Sequence, residues 1–317
     1  MDFGGEKMKI ALLYPGQGTQ TIGMGKDLYE KYDEVKEIYN KVKEITGIDI
    51  AKISFEGPEE ELNKTQNTQL AVLTESLAIL EVLKKNGIKA EMSAGLSLGE
   101  YTALIEDGVF NLEDGVKLVQ KRGEIMQNYT PSGNWKMAAI LGLDEKTVED
   151  VCKKVDTGFV VPANYNTIGQ IVISGEEEAV IKAGELAKEA GAKKVAILNT
   201  AGPFHTSKLS DCSAKLKEVL DNTTINCKNS KVVKNIDGKL YNENDNVAEV
   251  LANHIMNPVK FTSCLQTMKD NGIDTFVEVG PGKTLSAFVK RMKFEGEINI
   301  YSINSCESLE NFLNVNN

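Results

Sequence analysis

The stretch Ala90 to Glu106, AEMSAGLSLGEYTALIE, decides the reading of this chain. Ala90 to Ala94 is an apolar run that predicts a strand, and from about Leu98 the residues predict a helix. Between them Gly95-Leu96-Ser97-Leu98-Gly99 fits the pattern G-x-S-x-G. Small flanking glycines let a strand turn sharply into a helix with the serine at the apex. Ser97 then sits at a helix N-terminus, where backbone N–H groups and the helix dipole favour developing negative charge. On these residues alone a plain strand-to-helix turn remains the alternative.

A nucleophilic serine needs a base. The chain holds two histidines, His205 and His254. His205 lies in the loop Gly202-Pro203-Phe204-His205-Thr206 ahead of a helix. His254 falls in the helical stretch Val247 to Met256 and reads as a partly buried helix residue. With few bases that work at neutral pH, scarcity singles out His205. Arginine is equally scarce: of 36 Lys plus Arg, Arg122 and Arg291 are the two arginines. A guanidinium grips a carboxylate with a planar two-pronged fork that lysine lacks. Arg122 follows Ser97 by a helix, a loop and a second helix, so it can face the same pocket. A structural ion pair is the alternative. Arg291 reads as structural or surface.

Outward from this centre, the N-terminal part alternates strands with helices. Lys9 to Tyr14 is a strand ending in the turn Pro15-Gly16-Gln17-Gly18. Asp27 to Thr46 and Gln66 to Asn86 are helices, and Asn111 to Gln127 is another. Such alternation implies a parallel sheet with helices on both faces. After Pro131-Ser132-Gly133 the pattern changes. Lys136 to Leu143 is a strand, Asp144 to Lys154 a helix, and Phe159 to Asn164 and Ile168 to Ser174 are strands around a turn at Asn164 to Gly169. Glu176 to Ala190 is a helix and Lys193 to Leu198 a strand. That βαββαβ order is the ferredoxin-like unit. The expected division is a core over 8–130 and 201–317, with a small subdomain inserted over 131–200. In the last part a strand near Val232, a helix from Val247, a strand Thr275 to Val279 and a final helix from Thr284 are expected.

Composition sets outer limits. At 317 residues the length suggests roughly two domains, and 41% hydrophobic with 26% charged residues is globular. The formal net charge of −10 argues against nucleic-acid binding. No apolar run reaches the roughly 18 residues of a membrane span. Asp2 to Lys7 read as a loose extension without signal-peptide features. The five cysteines, Cys152, Cys212, Cys227, Cys264 and Cys306, show no C-x-x-C spacing, so free thiols in a cytoplasmic protein are expected, with no disulfide framework and no metal site. Gly16-x-Gly18 lacks the third glycine of a dinucleotide loop because Thr21 stands there. Gly282-Lys283-Thr284 lacks the first glycine of a phosphate loop because Val277 stands there.

Taken together, these residues resemble the malonyl-CoA:acyl carrier protein transacylase family of bacterial type II fatty acid synthesis. The similarity runs from Lys9 to about Met292. Its motifs are Tyr14 to Gly18, Gly95 to Tyr101, Gln120-Lys121-Arg122-Gly123, Asn164-Tyr165-Asn166, Gly169-Gln170, Pro203-Phe204-His205, Asn257-Pro258-Val259 and Glu278 to Lys283. The resemblance implies an α/β hydrolase-like core with a ferredoxin-like insert. It makes Ser97 the nucleophile and His205 its base, and the N–H groups of Gln17 and Leu98 the oxyanion hole. It assigns Arg122 to the malonyl carboxylate, and Asn164 and Phe204 to shaping the pocket, with Phe204 in the malonyl-selective form. The partners implied are malonyl-CoA as substrate and acyl carrier protein as acceptor. No cofactor is implied, since phosphopantetheine is carried by the partner, and a monomer is expected. Leu96 departs from the family's usual histidine there. His254 departs from the usual glutamine, whose main-chain carbonyl region orients the catalytic histidine. The competing readings are a serine thioesterase or esterase, a binding module keeping the fold, and an acyltransferase for another acyl-CoA.

Overall fold

The computed structural model describes residues 8–198, 202–228 and 230–316. The expected extension Asp2 to Lys7, and the expected domain boundary at 200/201, lie outside the described residues. The strands are β1 (Ile10–Tyr14), β2 (Met92–Gly95), β3 (Trp135–Leu141), β4 (Val160–Thr167), β5 (Gln170–Glu176), β6 (Lys194–Leu198), β7 (Val259–Lys260), β8 (Thr275–Val279) and β9 (Asn299–Ile303). They form two sheets, ordered β2-β1-β8-β9 and β6-β3-β5-β4-β7.

The first sheet is parallel throughout. β1 lies inside it, and its five residues are all buried. Alternation of side chains along a strand sends them to opposite faces. Ile10, Leu12 and Tyr14 join one hydrophobic cluster with the helices Asp33–Thr46, Thr65–Lys85 and Leu112–Tyr129. Ala11 and Leu13 join another with the helices Phe261–Asp270 and Thr284–Met292. Each fully buried leucine contributes about 1.5–3 kcal/mol, so both helical layers are held to the sheet by one strand's sequence. This is the expected α/β architecture with a parallel sheet covered on both faces.

In the second sheet β3 to β6 are antiparallel neighbours in the order β6-β3-β5-β4, which is the order of a ferredoxin-like unit. One face packs Ala138, Ile140, Ile171 and Ile173 against the helices Glu145–Lys153 and Glu177–Glu189. The other face gives Met137, Ala139, Ala163 and Val172 to the large cluster that β1 also feeds. Thr167 Oγ1 donates to the Phe288 carbonyl at 2.9 Å, tying β4 to the helix Thr284–Met292. Among the described residues no helix is long and apolar enough to cross a membrane.

Several local expectations are corrected. The helix expected over Asp27 to Thr46 is two helices, Lys26–Lys31 and Asp33–Thr46, because Tyr32 is extended at φ −110° and ψ 125°. Its hydroxyl donates to Glu310 Oε1 at 3.2 Å, a long-range tie that no local breaker announces. The helices Ile50–Glu56 and Glu59–Asn63 went unread. β4 continues through Asn164 to Thr167, so the turn is only Ile168-Gly169, with Gly169 at φ 70°. No strand forms at Val232; isolated bridges join Val232 to Ser93 and Val233 to Leu240, because Lys234 and Asn235 turn to other partners. Thr284–Met292 is not final: β9 and the helix Cys306–Asn316 follow.

The ends of β1, β2 and β8 converge, and that convergence positions the site. The Leu96 N–H donates to the Tyr14 carbonyl at 2.9 Å. A Cβ on Gly99 would stand 2.0 Å from the Tyr14 carbonyl oxygen, and one on Gly95 1.9 Å from the Gly99 carbonyl carbon. A Cβ on Gly16 would stand 2.4 Å from the Leu96 oxygen. The turns after β1 and β2 are therefore pressed together backbone to backbone. Gly99→Ala is expected to destabilise the chain by about 3 kcal/mol or more. Gly47→Ala, where a Cβ meets nothing within 4 Å but φ is 74°, should lose only about 1–2 kcal/mol. Urea unfolding midpoints of the two variants check the contrast.

Candidate active site

Ser97 occupies the turn between β2 and the helix Leu98–Glu106 with φ 55° and ψ −96°. A non-glycine residue held there stores about 1–3 kcal/mol of strain, which the surroundings must impose. Asn235 imposes it. Its Oδ1 accepts from the Ser97 N–H at 2.7 Å, and its Nδ2 donates to the Gly95 carbonyl at 2.7 Å. One fully buried amide thus clamps both ends of the turn.

His205 reaches Ser97 from the loop ahead of the helix Ser210–Leu220, with its own φ at 58°. Nε2 lies 2.8 Å from Ser97 Oγ. Nδ1 lies 3.1 Å from the His254 carbonyl and 3.1 Å from the Asn257 carbonyl. Carbonyls only accept, so Nδ1 carries the proton and Nε2 is left to accept the hydroxyl proton. The His254 carbonyl ends the helix Val247–His254, where Pro258 has no N–H to pair with it; besides His205 it accepts only the Asn257 N–H at 3.2 Å among the described residues. Burial, and then the Arg122 charge, press the His205 imidazole down to about 4. It is neutral near pH 7.

Arg122 projects from Leu112–Tyr129 and is 2% exposed. It donates to Gln69 Oε1 at 2.6 Å and to Ser97 Oγ at 3.1 Å, and stands 5.1 Å from the Tyr101 ring centre. Its Nε has no hydrogen-bond partner among the described residues, and no carboxylate there forms an ion pair with it. Leaving a buried charge uncompensated costs about 3–5 kcal/mol. A cation kept on such terms beside a serine hydroxyl is suited to an anionic group on a ligand.

Ser97, His205 and Arg122, picked from 317 positions by motif and scarcity, therefore meet at one hydroxyl oxygen. Leu98 begins its helix, and Gln17 stands in the turn packed on Leu96; neither N–H donates to an acceptor among the described residues. Phe204 is buried beside His205 in the main cluster. Asn164 is buried on β4 in register with Val172 and Val259, and no hydrogen bond among the described residues joins it to Ser97, His205 or Arg122. Arg291 is exposed and donates to Gln170, away from the serine. Leu96 is half-buried against the cluster that holds Ala11 and Leu13. His254 is 2% exposed and adjoins His205, deeper in the site than its helical context implied. Asn235, Gln69 and Glu100 were missed. Glu100 lies within the decisive stretch, whereas the other two have no local signal. A cavity of about 400 Å³ borders His205, walled by Phe159, Val161, Tyr165, Met256 and Pro258 among others.

Comparison with known proteins shows the family. The acyl transferase domain family matches residues 11–304. The malonyl CoA-acyl carrier protein transacylase of Bacillus subtilis (strain 168) is 43% identical over 286 residues, 90% of each chain. The solved structure of malonyl CoA-acyl carrier protein transacylase from Clostridium perfringens has a TM-score of 0.92 at 42% identity, covering 97% of this chain and 96% of that one. A malonyl-transacylase in complex with its type II PKS acyl-carrier protein gives 0.92 at 35% identity, covering 98% and 100%.

The depressed His205 value fixes a pH signature. The neutral ring is the working form, so its base function persists from neutral pH down to about 4 and is lost below. The acid limb of Ser97 reactivity toward an organophosphate should therefore have its midpoint near pH 4, well below the 6.5 of an ordinary histidine. Labelling rates followed from pH 3 to 8 check this.

Proposed function

We propose that this chain, which belongs to the acyl transferase family that includes the malonyl CoA-acyl carrier protein transacylases, moves the malonyl group from malonyl-CoA to the phosphopantetheine thiol of an acyl carrier protein. The single observation behind the reading is that a buried arginine and an imidazole both contact the Ser97 hydroxyl. The setting is the cytoplasm and the product feeds fatty acid synthesis.

The chemistry is two successive displacements. His205 Nε2 takes the Ser97 proton while Oγ bonds to the malonyl thioester carbon. The N–H groups of Gln17 and Leu98 hold the resulting oxyanion, each such donor being worth about 10²–10³ in rate. The C–S bond breaks, CoA leaves with the proton from His205, and a malonyl-serine ester remains. The pantetheine thiol then gives its proton to His205, its sulfur bonds to the ester carbon, and Ser97 Oγ leaves and is reprotonated. A thiolate departs more readily than an amine. His205 is oriented by carbonyls rather than by a carboxylate at Nδ1, and the chemistry tolerates that.

Arg122 holds the free malonyl carboxylate. An acetyl group would leave the guanidinium without an anion, which is the basis of discrimination. Phe204 and Asn164 narrow the space around the acyl group. Phe159, Val161 and Tyr165 of the expected inserted subdomain form a wall of the cleft, and the cavity beside His205 takes the pantetheine arm.

Intact mass after brief incubation with malonyl-CoA is expected to show a malonyl adduct on the wild type and none on Ser97→Ala, discharged by holo acyl carrier protein. Steady release of CoA without an adduct would make the chain a thioesterase instead. Arg122→Ala is expected to lose about 10²-fold or more in malonyl loading while acetyl loading changes much less, by the energy of a lost charge-assisted contact. Equal losses with the two donors would remove Arg122 from the carboxylate role.

A further inference from the structure

Behind the His205 ring stands a second imidazole and behind that a carboxyl group. The His205 and His254 ring centres are 4.8 Å apart with planes inclined by 35°. His254 Nδ1 is 3.3 Å from Glu100 Oε2, close but not aligned as a hydrogen bond, and His254 Nε2 has no partner among the described residues. Glu100 is fully buried, and its Oε1 accepts from the Tyr241 hydroxyl at 2.8 Å and the Asn235 N–H at 3.3 Å. Asn235 is the residue that clamps Ser97. One carboxyl thus backs both the serine turn and the histidine. Packing alone gives no reason for it, since burying a carboxyl carries a penalty that an apolar residue avoids.

While Ser97 Oγ attacks the thioester, and until CoA leaves with the proton, His205 is an imidazolium. In Ser-His-Asp sites a carboxylate at Nδ1 stabilises that cation; here Nδ1 meets two neutral carbonyls. We propose that Glu100, acting through the neighbouring His254 ring, is a positioning residue that supplies the negative charge opposing the His205 imidazolium. The proposal rests on the reading of Ser97 and His205 as nucleophile and base.

The surroundings agree in sign. The groups facing Glu100 are Tyr241, the Asn235 amide, His254, Arg122 and Asp237, with the Tyr101 and Cys264 side chains affected by it. Burial pushes its carboxyl up to about 7; the Tyr241 and Asn235 hydrogen bonds and the Arg122 charge pull against that rise, and Asp237 adds to it. The group is therefore neutral below about pH 7 and ionised above. Burial holds His254 well below the ordinary imidazole range, with His205 and Arg122 adding to the effect, so His254 stays neutral throughout. Above pH 7 the ionised Glu100 offsets the Arg122 charge and makes His205 the stronger base.

The two histidines of the chain give two sets of imidazole ¹⁵N resonances, which makes the proposal directly readable. In the wild type both sets should inflect near pH 7 while neither ring takes up a proton. Malonyl loading should rise about tenfold between pH 6 and 8, the equivalent of one unit of imidazole basicity. Glu100→Gln keeps an acceptor for Tyr241 and Asn235 but cannot ionise. It should erase both inflections and lower loading about tenfold at pH 8, with little change at pH 6. Inflections that survive in Glu100→Gln, or an equal loss at both pH values, would reduce Glu100 to a structural role. His254→Gln, which keeps the main-chain carbonyl, should weaken the His205 inflection with Glu100 intact; an unchanged inflection would overturn the part given to the ring, and this variant carries the test if Glu100→Gln does not fold. The resonances need no substrate. Inflections without any malonyl loading would therefore count against the transferase reading alone.

Discussion

Everything at the catalytic centre depends on how closely two backbones meet. The carbonyl of Tyr14 at the end of β1 occupies the place where a side chain on Gly99 would begin. That contact brings the turns after the two adjacent parallel strands together, and the end of β8 closes on them, with Pro15 where a side chain on Gly280 would stand. Ligands in α/β proteins collect at the carboxyl ends of parallel strands because loops and helix N-termini converge there. Here the convergence is tight enough to leave Ser97 no relaxed backbone conformation, and the strain is held by a single amide, Asn235.

A second constraint is electrical. The site is lined by buried side chains, and it holds one full positive charge, Arg122, next to two imidazoles that burial keeps neutral. In such surroundings a charge interacts far more strongly than in water. The same burial that weakens His205 as a base in the resting protein raises the value of any negative charge that arrives near it. The oxygen-rich face presented by the His254 and Asn257 carbonyls fixes which nitrogen is free to act.

Much of this was legible in the sequence for a physical reason. Gly95 and Gly99 are sterically irreplaceable, so the turn left a motif. His205 and Arg122 were conspicuous because the chain uses so few of either residue. The alternation of strands with helices before Pro131, and the order of elements after it, carried the two sheets. What stayed hidden depends on distant partners. Asn235 is one asparagine among many and finds Ser97 across 138 positions. Gln69 meets Arg122 from another helix. The break at Tyr32 is set by contact with the C-terminal helix, and β9, half-buried, lacks an alternation strong enough to read. His254 was judged by its own helix, whereas its position is decided by the loop that carries His205.

That the histidine is oriented by main-chain oxygens has an evolutionary corollary. A carboxylate partner can be lost through one codon change, but a carbonyl belongs to every residue. Substitution at 254 or 257 leaves the orienting atoms in place as long as the helix ends where it does. The side chain at 254 is thereby released from the task that fixes its backbone, and drift there can try new chemistry beside the catalytic ring without first disabling it.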